Sequence, residues 1–210
     1  MAAPVGARAA HHVTSHAAAT GRMLSAAGPP RKACTLVLVS PPPHTRVLLG
    51  LKKRGFGAGF WNGFGGKVEK GEGIVEAAHR ELEEEAGIRV PPDAMQQISV
   101  IDFTFVGKPT TLEVHVFRAT AIEGGKEASE SEEMRPQWFD AKDIPFDKMW
   151  PDDRLWFPLM LRGACFRATF DFDDTVMLAS EIAECSPEEV EAAREAAEAR
   201  MRDEWAAKEE

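Results

Sequence analysis

The fold is decided by two runs of sequence separated by seven residues: residues 66–72 read GKVEKGE, and residues 80–88 read RELEEEAGI. On a helix of about 3.6 residues per turn, Glu81, Glu84 and Glu85 share one face, because they are spaced i, i+3, i+4. Glu83 points elsewhere. The second run therefore predicts a helix with three carboxylates on one face, preceded by a glycine-rich loop.

An apolar stripe supports the same helix. Ile74, Ala78 and Leu82 fall on the face opposite the glutamates, which is the pattern of a helix that packs on a core. Gly87 follows the last periodic residue and can end the helix in the left-handed conformation. The sequence therefore predicts a helix over residues 74–86 that is buried on one face and acidic on the other.

The acidic face also predicts a bound cation. Two carboxylates ~4 Å apart repel by roughly 4 kcal/mol at an effective dielectric near 20, so a pocket that holds them needs positive charge. Hard oxygen ligands favour Mg²⁺ or Mn²⁺ over zinc. Gly63, Gly65 and Gly66 allow close backbone approach to phosphate oxygens and a metal. Arg80 can orient Glu72 or another carboxylate through a bidentate bond.

Composition excludes several classes of protein. The 210 residues carry a net charge of −9 and have a pI near 5.3, which argues against a general nucleic-acid coat protein. The longest strongly apolar run, residues 36–39, is too short to cross a bilayer. The three cysteines, Cys34, Cys165 and Cys185, argue against a disulfide scaffold and for a reducing compartment. We expect all three to be buried or idle.

The chain divides into three parts. Residues 1–32 are Ala-rich and free of acidic residues, and we expect a disordered or targeting extension there. Residues 33–185 hold alternating strands and two packed helices, which indicates one α/β domain around a mixed sheet. Strands are expected over 34–39, 46–52, 98–106, 112–121, near 138–139 and, as the last, over 166–172; the second helix is expected over about 152–161.

We expect residues 186–210 to form a charged C-terminal helix that opens with a Ser186 capping box and proline at the first helical position. A thin stripe follows at helical spacing: Val190, Ala193, Ala197, Met201 and Trp205. This stripe can dock on the domain or on a partner, but our expectation is a solvated helix.

Residues 66–88 resemble the Nudix box, G-x5-E-x7-R-E-U-x-E-E-x-G-U with U aliphatic, at every fixed position. The resemblance implies an α/β/α sandwich around a mixed sheet, here with N- and C-terminal extensions. It also implies that the chain uses a divalent metal to hydrolyse a nucleoside diphosphate linked to another moiety.

Further motifs resemble the eukaryotic MutT-type hydrolases of oxidised purine nucleoside triphosphates. Residues 52–59 read KKRGFGAG, 61–67 read WNGFGGK, 133–136 read EMRP and 149–153 read MWPDD. The similarity spans about residues 34–172. It implies cleavage of substrates such as 8-oxo-dGTP and 2-hydroxy-dATP to a monophosphate and pyrophosphate.

The resemblance also assigns residues to roles. The implied metal ligands are Gly65 (through its carbonyl), Glu81, Glu84, Glu85 and Glu133. The implied catalytic residues are Glu84, Glu85 and Arg80, with Glu85 favoured over Glu84 as the base. The implied substrate contacts are Thr35, Lys52, Phe56, Asn62, the backbone of Phe64, Gly65, Gly66 and Lys67, and the run Trp150, Pro151, Asp152 and Asp153.

The residues proposed to bind the base carry chemical groups that suit a purine. Trp150 and Phe56 offer apolar faces for a purine, and Asn62 offers both an acceptor and donors. If Asp152 or Asp153 is buried, its pKa should rise and it can become a donor. The alternative for the aspartate pair is helix capping, because residues 151–153 also make a good helix start.

Several alternatives stay open at this point. The runner-up is a Nudix hydrolase for a dinucleotide, a nucleotide sugar or an unmodified triphosphate, and a third is a silent nucleotide-binding module. Leu112, in the pair Thr111-Leu112, stands where vertebrate members carry methionine, which leaves the fine base preference open. We expect a monomer without nucleic-acid polymer or membrane partners, in the cytosol or, through residues 1–32, in a mitochondrion or plastid.

Overall fold

A computed structural model describes residues 29–208 of the chain. The strands are β1 (Arg31–Val39), β2 (Arg46–Lys52), β3 (Trp61–Asn62), β4 (Met95–Phe105), β5 (Thr111–Ala119), β6 (Met134–Asp140), β7 (Phe166–Asp173) and β8 (Val176–Glu184). The helices are α1 (Ile74–Ala86), α2 (Asp153–Leu161) and α3 (Pro187–Ala206). Across residues 29–208, no helix is long and apolar enough to cross a membrane.

The strands form one mixed sheet. Its order is β3-β2-β1-β5-β4-β7-β8, and β6 also pairs with β2. β1 runs parallel to β5 and β4 runs parallel to β7, whereas the other named pairs are antiparallel. Both parallel pairs lie at the centre of the sheet, where helices can cover both faces.

Helices cover the two faces of this sheet. On one face, Leu82 of α1 and Met201 of α3 share a cluster with Val37 of β1. On the other face, Phe157 of α2 shares a cluster with Leu38, the next residue of β1. Because successive side chains of a strand point to opposite faces, β1 contributes to both cores. The expected α/β/α sandwich is confirmed.

The central helix agrees with its sequence pattern. α1 spans the expected residues, and its stripe of Ile74, Ala78 and Leu82 is fully buried. Gly87 ends the helix at φ 67°, in the left-handed region that glycine adopts without strain. At the other end, the Gly73 N–H donates to Glu76 Oε2 over 2.8 Å. Backbone groups at both ends of α1 therefore have partners.

Two predictions about the C-terminal region are wrong. Residues 166–172 are not the last strand, because β8 follows and pairs antiparallel with β7. β8 is an edge strand with mostly exposed residues, so it lacks an alternating apolar pattern. The last helix is not solvated on all sides: Val190, Ala197 and Met201 are buried. In addition, β1 begins at Arg31 rather than Cys34.

Candidate active site

The glycine-rich segment before α1 lies against β1. Thr35 N–H donates to the Gly66 carbonyl over 2.8 Å, and Phe64 exchanges two backbone hydrogen bonds with Val37. A Cβ on Gly65 would lie 2.6 Å from the carbonyl carbon of Thr35, so only glycine allows this approach. The contact holds the backbone of Gly65 and Gly66 beside the acidic face of α1.

Glu85 is the most buried carboxylate of that face, with 3% of its surface exposed. Its Oε2 accepts a hydrogen bond from the Gly65 N–H over 2.9 Å, and its Oε1 accepts one from Lys52 Nζ over 2.8 Å. Burial raises the pKa of Glu85, and these two donors oppose that rise. α1, the glycine segment and β2 therefore meet at one carboxylate.

Glu133, the residue just before β6, joins the same cluster. Lys52 Nζ also donates to Glu133 Oε2 over 3.0 Å, and Arg54 Nη2 donates to Glu133 Oε1 over 2.8 Å. The hydrogen bond from Lys52 lowers the pKa of Glu133. Lys52 thus bridges two carboxylates that are 48 residues apart in sequence, and it brings Glu133 close to the carboxylates of α1.

Arg80 holds the remaining acidic groups. Its Nε and Nη2 donate to the two oxygens of Glu72 over 2.7 and 2.9 Å, which confirms the predicted bidentate bond. Its Nη1 donates to Glu81 Oε1 over 3.0 Å and to Glu84 Oε2 over 3.2 Å. The hydrogen bond from Arg80 lowers the pKa of Glu72. Arg80 therefore fixes the loop carboxylate and the acidic face together.

The donor chemistry of this cluster fits a hard divalent cation. Glu81 is half-buried and its pKa is raised, mainly by burial, as is that of Glu85. The groups that converge here are carboxylates and a glycine backbone, and such oxygens suit Mg²⁺ or Mn²⁺. Within residues 29–208, no three acidic, His or Cys side chains already stand at metal-binding spacing. Lys52 and Arg80 hold the carboxylates instead.

Aromatic rings form the other end of the site. Phe56 stacks on Trp150 with ring centroids 5.1 Å apart and an interplanar angle of 20°, and Phe60 meets the same indole edge-on at 5.3 Å. Phe105 and Phe172 also contact Trp150. Phe56 itself is 65% exposed, so it stands at the mouth of the site and Trp150 lies deeper.

Two aspartates are buried beside these rings, as the sequence hypothesis required. Burial raises the pKa of Asp152 to about 6. Burial, and then the charge of Asp152, raise the pKa of Asp153 well above its usual range. Asp153 Oδ2 accepts from the Trp150 N–H over 3.1 Å. Asp152 stands at the N-cap of α2 but makes no side-chain capping bond, so capping does not account for its position.

Both ends line one open cleft of about 1700 Å³. Most of the residues predicted from the sequence meet there: Thr35, Lys52, Phe56, Asn62, Gly65, Gly66, Lys67, Arg80, Glu81, Glu84, Glu85, Glu133, Trp150, Asp152 and Asp153. Phe64 and Pro151 are not among the lining residues. Phe64 is fully buried with its N–H and carbonyl bonded to Val37, and Pro151 is exposed.

Two polar atoms in the cleft are buried without a partner among the described residues: Thr35 Oγ1 and Asp152 Oδ1. Buried polar atoms are normally hydrogen-bonded, so these two atoms indicate positions where a ligand or a water molecule binds. Asn62 also lines the cleft, and its Oδ1 accepts from the Gly63 N–H over 2.8 Å.

Trp156 is a site residue that the sequence analysis did not predict. Trp156 is buried and also lines the cleft, and its Nε1 donates to Asp152 Oδ2 over 2.9 Å. The i, i+4 spacing of Asp152 and Trp156 is a signal that could have indicated this contact. The indole orients one oxygen of Asp152 and leaves the other oxygen unpaired.

Comparisons with known proteins agree with this geometry. The NUDIX domain matches residues 30–160. The chain is 57% identical over 141 residues to an oxidized purine nucleoside triphosphate hydrolase of Danio rerio, covering 67% of this chain and 86% of that protein. The protein of that name from Mus musculus is 54% identical over 140 residues, with the same coverage. A MutT protein from Bacillus halodurans has a TM-score of 0.62 at 28% identity, over 72% of this chain and 97% of its own.

Proposed function

The chain belongs to the NUDIX family, and on that premise we propose that it hydrolyses oxidised purine nucleoside triphosphates to the monophosphate and pyrophosphate. Relatives at 57% and 54% identity are named for oxidised purine nucleoside triphosphates. The observation that carries the proposal is the single cleft, which has a carboxylate cluster at one end and buried aspartates among aromatic rings at the other. A triphosphate and its purine base need these two environments at once.

The carboxylate end binds the phosphates in this proposal. Gly65, through its carbonyl, together with Glu81, Glu84, Glu85 and Glu133 would hold Mg²⁺, with Mn²⁺ as the alternative. When bound, the ion would supply Lewis-acid polarisation of phosphate oxygens and would lower the pKa of a coordinated water. Lys52 and Lys67 line the same end and add positive charge for the phosphate chain.

Glu85 is our proposed general base. It is buried and its pKa is raised, mainly by burial, so its carboxylate is a better proton acceptor than an ordinary surface glutamate. Glu84 is 60% exposed at its side chain and lacks this environment. Arg80 positions Glu81 and Glu84 through its guanidinium, and Lys52 and the Gly65 N–H hold Glu85 in place.

The aromatic end recognises the base in this proposal. Trp150 and Phe56 supply apolar faces, and Asn62 supplies amide donors. Burial keeps Asp152 and Asp153 protonated more readily than solvated aspartates, so each can either donate or accept a hydrogen bond. A pair that can exchange these roles accommodates both oxidised guanine and oxidised adenine.

We also propose the setting in which this site works. The cleft is built from one chain, so we expect a monomer that needs no nucleic-acid polymer or membrane. We propose residues 33–185 as the hydrolase domain, with α3 (Pro187–Ala206) packed on it as part of the same fold. We propose a cytosolic location, or an organellar one through residues 1–32, most of which lie outside the described residues.

The proposal is tested with four nucleotides: 8-oxo-dGTP, 2-hydroxy-dATP, dGTP and dATP. We expect faster hydrolysis of the oxidised pair, with Mg²⁺ present, and release of pyrophosphate rather than phosphate. Glu84→Gln and Glu85→Gln variants serve as controls for chemistry at the carboxylate cluster. Equal rates for oxidised and ordinary nucleotides would favour an unmodified triphosphate as substrate, and no hydrolysis in any case would favour a binding module.

Base recognition has a separate test. Asp152→Asn and Asp153→Asn remove the ability to exchange donor and acceptor roles while they preserve the side-chain volume. We expect each variant to change the ratio of activity on 8-oxo-dGTP to activity on 2-hydroxy-dATP. The same ratio in both variants as in the unmodified protein would refute the aspartate hypothesis.

A further inference from the structure

Two of the cysteines, expected from the sequence to be buried or idle, face each other across the end of the sheet. Cys165 directly precedes β7 and Cys185 directly follows β8. The last residue pair of that antiparallel ladder is Phe166 with Glu184, so one further step sets Cys165 opposite Cys185. The Cys185 N–H donates to the Cys165 carbonyl over 3.0 Å, which extends the ladder by this step.

The spacing of such a pair suits a disulfide. Opposed residues that share a backbone hydrogen bond have Cα atoms about 5.5 Å apart and point their side chains to the same face. Disulfide-bonded cysteines have Cα separations of roughly 4.4–6.8 Å. Because the pair lies one step beyond the regular ladder, only small backbone movements are needed to bring the two sulfur atoms together.

The surroundings of the two thiols are consistent with close approach. Both are free thiols, and Cys165 is buried whereas Cys185 is half-buried. Burial raises the pKa of both, and the charge of Cys165 contributes to the rise at Cys185. The nearby charged groups are Arg118 and Glu188 for Cys165, and Glu189 and Arg167 for Cys185. Cys185 is the thiol that a small oxidant can reach.

We propose that Cys165 and Cys185 form a reversible intramolecular disulfide. This modification would link the start of β7 to the segment that leads into α3. With hydrogen peroxide as oxidant, the two thiols give up two protons and two electrons, an S–S bond forms, the O–O bond breaks and two waters leave. With a small disulfide as oxidant, exchange through a mixed disulfide releases two small thiols. Either route is balanced by the oxidant alone.

The position of this bond gives it a structural consequence. Ser186, the next residue, is the N-cap of α3, and its Oγ accepts from the Glu189 N–H. α3 then reaches the core through Met201 and the first turn of α1, where Glu198 Oε1 accepts from the Ile74 N–H over 3.1 Å. A covalent link at residue 185 would anchor the start of the helix that makes these contacts.

Cys34 is the internal control for this proposal. It lies on β1 and lines the cleft, and burial raises its pKa to about 11. The charges that act on Cys34 come from lysines and glutamates, whereas Cys165 is among the groups that act on Cys185. The pairing should therefore consume two of the three thiols and leave Cys34 free.

The test uses the full chain, fully reduced and then incubated for hours with hydrogen peroxide or with oxidised glutathione. Denaturing alkylation counts the remaining free thiols, and peptide mapping by mass spectrometry locates any link. We expect one free thiol, Cys34, and a linked pair of peptides containing Cys165 and Cys185. The linked pair should also form in Cys34→Ser, which then has no free thiol left, and it should be absent in Cys165→Ser and Cys185→Ser.

Stability gives an independent readout. We expect oxidation to raise the Tm of the unmodified chain by about 5 °C, because a cross-link restricts the unfolded state. A reductant should reverse this shift, and Cys185→Ser should show none. The proposal would be overturned by three alkylated thiols after oxidation, by a link to Cys34, or by a link between two chains. Each of these results can be obtained with the wild-type sequence, without any variant.

Discussion

Replacing Gly66 with alanine separates the chemistry of the carboxylate cluster from the stability of the fold. A Cβ on Gly66 would lie 2.7 Å from Glu81 Cδ and still closer to Oε1. Gly66 has no positive φ that alanine would have to adopt, and the obstructing atoms are the end of a flexible side chain. The Glu81 carboxylate therefore moves, and the backbone does not.

The expected loss is one of activity. When Glu81 moves, it leaves its 3.0 Å hydrogen bond with Arg80 and its place against the glycine backbone. Displacing or misorienting one ligand or its support typically costs about 10–100-fold in metal affinity or activity. We expect Gly66→Ala to lower kcat by about 10–100-fold and to need more Mg²⁺ for half-maximal rate, with a Tm close to that of the unmodified chain.

Gly65→Ala is the matched control, one residue away. Its Cβ would lie 2.6 Å from the carbonyl carbon of Thr35, which is backbone in a central strand. β1 cannot move away without straining the 2.8 Å bond from Thr35 N–H to the Gly66 carbonyl. Overpacking of this kind costs about 1–3 kcal/mol or more, which corresponds to a fall in Tm of roughly 2–12 °C for a chain of this size.

Pyrophosphate release at saturating substrate, a Mg²⁺ titration and thermal melting of both variants provide the measurements. Full activity in Gly66→Ala would show that the position of Glu81 against the loop is not needed for turnover. Equal loss of Tm in the two variants would show that the glycine at 66 serves packing rather than chemistry. Either result would refute the reasoning from the displaced carboxylate.

Three further predictions follow from single side chains. Glu85→Gln keeps the shape but removes the charge and basicity held by Lys52, and we expect kcat to fall by about 10²–10⁴-fold in a steady-state assay. Burial raises the pKa of Asp152 to about 6 in the folded state, against an ordinary pKa of 3.8. The unfolded chain therefore releases this proton at a lower pH than the folded chain does, and the stability falls as the pH rises from about 4 to about 6. Asp152→Asn should therefore raise the Tm at pH 7.5 but not at pH 4, and a Tm difference that is the same at both pH values would contradict the assignment. Glu198→Ala removes the acceptor for the Ile74 N–H, and we expect a loss of about 1 kcal/mol in unfolding free energy, with a smaller loss in Glu198→Gln; melting curves that coincide with those of the unmodified chain would count against this contact.

Short sequence patterns predicted the elements whose structure depends mainly on neighbouring residues in the chain. The bounds of α1 follow from an apolar stripe and a terminal glycine, and Gly87 indeed adopts the left-handed conformation. β8 escaped prediction because an edge strand pairs on one side only and needs no alternating pattern to stay exposed. Residues 176–184 read VMLASEIAE, in which apolar and polar residues do not alternate.

The residues of the candidate site were predicted more completely than their contacts. Nothing within a window of sequence links Lys52 to Glu85, 33 residues away, or to Glu133, 81 residues away. These bonds depend on the pairing of β2 with β6 and on the packing of α1. The burial of Asp152 likewise depends on the rings that surround it. The sequence could therefore predict only that the pKa of Asp152 would rise if the side chain were buried.

The contacts of α3 argue that this helix is part of the hydrolase fold rather than an appendage. Ala197 and Met201 belong to the same buried cluster as Leu82, the apolar counterpart of the carboxylate face on α1. Burial opposes the charge of Glu113, but hydrogen bonds from His115, Arg200 and Arg31 outweigh it and hold the pKa of that carboxyl far below its usual range. Arg200 comes from α3, so the helix supplies one of the positive charges that a buried carboxylate on a central strand requires. A helix that closes the core and compensates a buried charge is coupled energetically to the strands beneath it, although it lies outside residues 30–160, which match the family domain.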